Sequence, residues 1–208
     1  GREPTAEELA VIAEIVIEKD LFVLTDEIYG ELTYGMEHTT IASFPGLKER
    51  TVLINGFSKA YAMTGWRVGY LMADRPVKEQ LEKIHQYNVV SISSFVQRAC
   101  AAALAYDISS EREVYRRRRD YVCTRLDSMG LPYFKPQGAF YVFPSIAAFG
   151  MDSLSFCSRM VKEGKLACTP GSCFGAEGFL RISYCYSDDV LREGMDRMET
   201  FVQMLRSC

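Results

Sequence analysis

The residues best placed to do chemistry lie in one run, Gly56-Phe57-Ser58-Lys59-Ala60-Tyr61-Ala62-Met63-Thr64-Gly65-Trp66-Arg67-Val68-Gly69. An apolar stretch, Thr51 to Ile54, leads into Gly56, and Lys59 follows in a turn rich in small residues. Read as a strand, that stretch leaves Lys59 beyond its carboxyl end, the edge at which open α/β sheets bind ligands. Arg67 comes eight residues later, just before the next apolar run. An amine condenses with an aldehyde. A guanidinium grips a phosphate through paired N–H groups. The pair therefore suits a ligand that carries both an aldehyde and a phosphate. The competing reading is a solvated lysine and an ion-paired arginine, because most lysines of a globular protein face water.

Two further positions bear charge or polarity where apolar residues surround them. Asp26-Glu27-Ile28-Tyr29 closes an earlier apolar run, and Asp26 stands 33 residues before Lys59. Taken alone, it is equally a helix N-cap aspartate and a packed tyrosine. Phe179-Leu180-Arg181-Ile182-Ser183-Tyr184 sets Arg181 inside an apolar strand, where an unpaired charge is costly. Its partner is either a bound anion or a neighbouring acid such as Asp188 or Asp189. Ser58 either donates to a phosphate or caps a helix after the turn. Trp66 and Met63 are expected to pack the core, and Arg116 to Arg119 to form a solvated helix face.

Helices and strands must position these groups. Thr5-Ala6-Glu7-Glu8 has the form of a capping box, and Leu9, Ile12, Ile15 and Val16 continue it at helical spacing to about Lys19. Leu21 to Leu24, Thr51 to Ile54 and Val68 to Met72 read as buried strands with helical patterns between them, which predicts a mainly parallel α/β sheet. Helical patterning runs from Pro76 to Tyr106, with a break near Ser91 to Ser94, and again from Ser110 to Met129, ending at Gly130. Beyond it, Leu131 to Phe134, Ala139 to Phe143 and Phe179 to Tyr184 read as strands, and Leu154 to Lys162 and Asp188 to Leu205 as helices. The expected organisation is residues 1–107 in one domain and 108–208 in a smaller α+β domain.

The composition sets outer bounds. With 208 residues, 48% hydrophobic, 25% charged and a net charge of −3, the chain is ordinary globular material with no broad attraction to nucleic acid. No apolar run approaches the roughly 18 residues of a membrane helix, and no signal peptide is visible. The seven cysteines are odd in number and form no CxxC pair, which predicts free thiols in a reducing, cytoplasmic compartment. The histidines, His38 and His85, lie far apart and predict no metal site.

Aldehyde plus phosphate describes pyridoxal 5′-phosphate (PLP), and the run from Gly56 to Gly69 resembles the cofactor-lysine signature of class I/II, fold-type I aminotransferases. The likeness covers Gly56, Ser58 before Lys59, the Gly65-x-Arg67 spacing and the closing Gly69. Asp26 and Tyr29 match the DxxY pattern of that family, and Arg181 matches its carboxylate-binding arginine. Pro136-Gln137-Gly138-Ala139-Phe140-Tyr141 and Pro170-Gly171-Ser172-Cys173-Phe174-Gly175 resemble segments of its small domain. The resemblance implies that Lys59 carries PLP and acts as the catalytic base. It also implies that Asp26 holds the pyridine nitrogen, Tyr29 the phenolic oxygen, Arg67 and Ser58 the phosphate, and Arg181 the substrate carboxylate.

The fold so implied is a PLP-transferase-like α/β architecture: a partial parallel-rich sheet with helices in 1–107, the carboxyl-terminal portion of the large PLP-binding domain, and the small α+β domain in 108–208. The activity implied is transfer of an amino group between an amino acid and a 2-oxo acid, of the aspartate or aromatic type, by a full-length protein that is a homodimer. Only the carboxyl-terminal half of the family is matched, and Gly1-Arg2 looks like the end of its Asn-Pro-x-Asn-Pro-Thr-Gly segment. The isolated chain is accordingly expected to be nearly inactive. Two alternatives keep part of the reading: a PLP-dependent C–S β-lyase or decarboxylase, and a non-enzymatic PLP-sensing domain of a regulator.

Overall fold

A computed structural model describes residues 2–207; Gly1 and Cys208, the latter one of the seven cysteines, lie outside the described residues. The described residues form two compact units, one of Glu3–Ser109 and one of 110–207 together with Arg2.

In the first unit, Thr5 and Glu8 cap helix α1 (Ala6–Glu18) reciprocally. The Glu8 amide donates to Thr5 Oγ1 at 3.2 Å and the Thr5 amide to Glu8 Oε2 at 3.0 Å. Leu9, Ala13 and Val16 of α1 are buried with Ile41 and Leu47, against Val23 and Phe44. Three strands follow: β1 (Val23–Asp26), β2 (Thr51–Gly56) and β3 (Gly69–Met72), in the order β1-β2-β3. The β1–β2 pair is parallel and the β2–β3 pair antiparallel. Strand β1 starts two residues later than the apolar run Leu21 to Leu24 predicts. The cause is the helix end: Asp20 takes φ +49° and the Leu21 amide returns to the Val16 carbonyl at 2.9 Å, so the chain is still turning at Leu21. Helices α2 (Arg75–Val89) and α3 (Ser94–Leu104) complete the unit, with Pro76 in the first turn of α2 where its missing N–H costs nothing.

The second unit carries α4 (Ser109–Ser128), β4 (Tyr141–Val142), α5 (Ser153–Gly164), β5 (Thr169–Pro170), β6 (Leu180–Ser183) and α6 (Asp188–Arg206). Its sheet runs β4-β6-β5, antiparallel throughout. Phe156, Met160, Leu180, Met198 and Phe201 fill the core, with Phe156 and Phe201 edge-on at 5.3 Å. Leu131 to Phe134 is not a strand. Pro132 within it and Pro136 just beyond it withhold ladder donors, and Phe134 stands in solvent. Strand β5, two residues ending in proline at a sheet edge, gave no periodic signal to read.

Arg119 is buried at 8% exposure; its Nη1 donates to the Pro136 carbonyl at 3.0 Å and its Nη2 pairs with Asp120 at 2.9 Å. It stands on the core side of α4 with Val122, Cys123 and Leu126, so only part of the arginine run is a solvated face. All six described cysteines are unbridged. Among the described residues no helix is long and apolar enough to cross a membrane, and no cluster of His, Cys, Asp and Glu is arranged to hold a metal ion.

The cap is testable. Thr5→Ala should lower the stability of the first unit by about 1 kcal/mol, read as a shift in the urea midpoint with an unchanged slope.

Candidate active site

The parallel pairing of β1 and β2 sets Asp26 opposite Ile54, so the two strands deliver residues 26–29 and 56–59 to the same edge of the sheet. Asp26 ends β1. Its Oδ1 accepts from the Ile28 amide at 3.1 Å, and the Gly30 amide donates to the Glu27 carbonyl at 2.8 Å, which turns the chain and brings Tyr29 back over the edge. Asp26 therefore caps a turn rather than a helix. Lys59 leaves the end of β2, and its Nζ lies 5.7 Å from the centre of the Tyr29 ring. Two of the residues singled out by the sequence, 30 positions apart, thus meet.

The loop from 57 to 68 is held from behind. Phe57 is buried and packs its ring 5.6 Å from both Tyr61 and Tyr70. Burial, and then the nearby charge of Glu31, pushes both phenols up from their ordinary range, so this wall stays neutral. No α-helix follows Lys59: the chain makes turns and a short 3-10 segment, Thr64–Trp66. Ser58, half-buried beside Lys59, accordingly caps no helix. Trp66 is 48% exposed and not in the core, while Met63 is half-buried. Arg67 is exposed at the loop's exit in a left-handed conformation (φ +52°), with Nη1 donating to the Thr64 carbonyl at 2.9 Å.

The glycines of the run have a steric reason. Gly56 and Gly69 face each other across β2 and β3. A Cβ on Gly69 would stand 2.9 Å from the Asn55 carbonyl oxygen, and one on Gly56 would stand 3.1 Å from Gly69 Cα and 3.2 Å from Ile28 Cδ1. Ile28 belongs to the Asp26–Tyr29 turn, so bare backbone here lets that turn approach the lysine loop.

The second unit holds Arg181, half-buried on β6. Its guanidinium lies 4.5 Å from the centre of the Tyr141 ring and 4.3 Å from that of Phe174. The acids offered as its neutralising partners are engaged elsewhere, Asp188 with Arg118 at 2.7 Å and Asp189 with Arg192 at 3.3 Å. Among the described residues Arg181 makes no ion pair. Stacking on its faces leaves the in-plane N–H edge for an acceptor. A cavity of about 560 Å³ opens beside it, lined among others by Thr169, Ser183, Tyr186 and Val190. Sequence reading missed the two rings. Tyr141 pairs with Ser183, two residues along β6 from Arg181, so cross-strand spacing was the signal for one of them.

A sequence profile described as aminotransferase class I and II matches residues 1–198. The chain belongs to the class I and II aminotransferase family. It is 47% identical over 201 residues to a probable N-acetyl-LL-diaminopimelate aminotransferase of Bacillus subtilis, covering 94% of this chain and 51% of that protein. It is 44% identical to an aspartate aminotransferase of Pyrococcus abyssi, over 92% of this chain and 51% of that protein. Among solved structures, an aromatic aminotransferase from Pyrococcus horikoshii superposes with a TM-score of 0.94 at 42% identity, covering 97% of this chain and 56% of that one. The chain thus spans about half the length of the curated relatives it matches. The fold is that of the PLP aminotransferases of fold type I, and the family's cofactor is PLP. An amine beside a phenol, with a carboxylate on the same turn and a guanidinium leaving the same loop, is a donor set that fits it.

Gly69→Ala should cost about 1–3 kcal/mol, since the clash is with backbone that has no free volume to yield. It should also broaden the amide signals of residues 26–29 in an NMR spectrum, because the turn must withdraw.

Proposed function

We propose that this chain is the lysine-bearing half of an aminotransferase that moves an amino group between an amino acid and a 2-oxo acid, of the aspartate or aromatic type. In this reading residues 1–107 are the carboxyl-terminal portion of the large PLP-binding domain and 108–208 the small domain. The observation that carries the reading is the convergence of the Lys59 amine and the Tyr29 ring at the ends of adjacent parallel strands. The relatives are named as N-acetyl-LL-diaminopimelate (probable), aspartate and aromatic aminotransferases, which supports the reaction class.

Lys59 would hold PLP through its amine, Asp26 the pyridine nitrogen, Tyr29 the phenolic oxygen, and Arg67 and Ser58 the phosphate. When bound, PLP draws electrons from the substrate's Cα and so acidifies its proton. Lys59 Nζ, freed once the substrate's amine has replaced it, would take that proton as general base. Asp26, ionised, favours positive charge on the nitrogen it faces. Arg181 receives the substrate's α-carboxylate in a paired N–H grip, with Tyr141 and Phe174 keeping its plane fixed.

The full-length protein is read as a cytoplasmic homodimer. The odd number of cysteines and the lack of a CxxC pair support a reducing compartment. Alone, the 208 residues should transfer amino groups poorly. The sheet face that carries Asp26 is uncovered, with Leu24 70% and Leu71 44% exposed, and water there weakens every electrostatic contact.

Titration with PLP, borohydride reduction and peptide mass mapping test the assignment. The expected result is one reduced adduct on Lys59, lost in Lys59→Ala. A specific adduct on any other lysine overturns it. In a coupled transaminase assay the isolated chain should show little or no turnover, and full-rate turnover would contradict the need for further covering structure.

A further inference from the structure

Behind the Asp26–Tyr29 turn lies a charge cluster that neither the family signature nor the chemistry above uses. Glu27 is buried at 8% exposure, on the side of β1 opposite Asp26, as strand alternation requires. Its carboxylate accepts from Thr40 Oγ1 at 2.7 Å, His38 Nε2 at 2.9 Å and Thr25 Oγ1 at 3.3 Å. The other ring nitrogen of His38, Nδ1, bonds to the carboxylate of Glu3. An imidazole that faces a carboxylate from both nitrogens donates from both, and so is an imidazolium.

The cluster is mechanically joined to the turn. The Glu27 amide donates to the Ile54 carbonyl at 2.8 Å, and its own carbonyl accepts from Gly30. The imidazole lies against Gly30, where an added Cβ would stand 2.9 Å from His38 Cδ2. The residue before that glycine is Tyr29. His38 thus meets the turn at two points, at the Glu27 carboxylate between Asp26 and Tyr29 and against Gly30 just after Tyr29.

We propose that Glu3, His38 and Glu27 form a charged brace behind this turn, and that His38 is a positioning residue for Asp26 and Tyr29. The positioning role rests on the cofactor reading of those two residues; the brace itself does not.

The titration follows from the contacts. The hydrogen bond to Glu27, with that to Glu3 behind it, outweighs burial and pushes His38 up to about 9. Burial alone would raise the Glu27 carboxyl, but the bonds from His38 and Thr40 bring it below its usual range. Among the described residues Glu3 and Glu27 are the charged groups facing His38, and Tyr70 on β3 feels the charge of Glu27. A raised histidine stabilises fully below its unfolded value near 6.5 and loses that contribution as pH climbs through about 9. A lowered carboxylate stabilises above its unfolded value and loses that as pH falls through its folded one. The brace is closed between these limits; it opens on the alkaline side as His38 loses a proton and on the acid side as Glu27 gains one.

Imidazole and backbone NMR on the 208-residue chain tests this, and with only two histidines, the His38→Gln variant assigns the signals. His38 should keep both ring protons to about pH 9, and the amides of Ile28, Tyr29 and Gly30 should shift with the same midpoint. In Glu3→Gln, the milder variant that serves if His38→Gln does not fold, both midpoints should fall together. Amides of 28–30 that ignore the His38 midpoint overturn the brace. PLP binding, followed in parallel by visible absorbance, should weaken about tenfold in His38→Gln, the size typical of partners that orient ligating residues. Unchanged affinity overturns the positioning role. A wild-type chain whose amides follow His38 but which traps no PLP on Lys59 supports the brace and sinks the cofactor reading instead.

Discussion

Strand β1 meets β2 in parallel, with Asp26 opposite Ile54, and the first unit depends on that register. Parallel strands end on the same side, so whatever follows one can touch whatever follows the other. A slip by one residue would send Asp26 to the α1 side of the sheet and Glu27, with its histidine, to the lysine side. The apolar contacts of Val23 with the α1 cluster oppose that slip. So does the Glu27 amide, which extends the ladder one residue past the strand by bonding to the Ile54 carbonyl. Register, helix packing and the direction of two carboxylates are thus one constraint.

The antiparallel partner on the other side of β2 adds a limit of its own. Strand β3 returns the chain from the lysine loop, and its first residue, Gly69, closes the loop against Gly56. With side chains at neither position, two backbones and the Ile28 side chain share the space one methyl group would occupy. The loop between them is long for a hairpin and has no regular structure apart from one short 3-10 segment. It keeps its shape because Phe57 anchors its start under two tyrosine rings, and because its backbone bonds to itself, Met63 to Phe57 and Trp66 to Met63.

What could be read from the sequence follows the same physics. The placement of Lys59 and Tyr29 beyond the ends of two strands was legible because it depends on local order alone: an apolar run, then polar residues after the run stops. The α1 cap was legible for the same reason, since both of its partners lie within four residues. The α2–α3 break emerged within two residues of the reading, because a helix needs unbroken periodicity and Ser91 to Ser94 has none. The brace was not legible. Its members stand 11 and 35 residues apart, and each in isolation is an ordinary polar residue. Arg119 was misread because a run of four arginines hides which one turns inward; the apolar positions Val122 and Leu126, three and seven residues on, were the available clue. Strand β5 failed because two residues carry no period.

The arginines of the second unit show why burial by itself does not mark a site. Arg119 is more deeply buried than Arg181, yet its charge is answered by Asp120 and by a backbone carbonyl. Arg125 is answered by Asp196, Glu199 and the Tyr121 hydroxyl. Arg118 has Asp188. Each is a closed account of donors and acceptors, and each joins α4 to something fixed. Arg181 differs in kind. It sits on a strand whose neighbours are apolar, its planar faces are occupied by rings, and the acids nearest in sequence are engaged elsewhere, Glu177 by Ser153 and Asp188 and Asp189 by other arginines. Rings stabilise a guanidinium by about 0.5–2 kcal/mol, which keeps it ordered without neutralising it. A cation ordered but neutralised by no described carboxylate, at the mouth of a cavity, agrees with the carboxylate-binding role proposed for it. An internal carboxylate would hold it as firmly and leave it nothing to do.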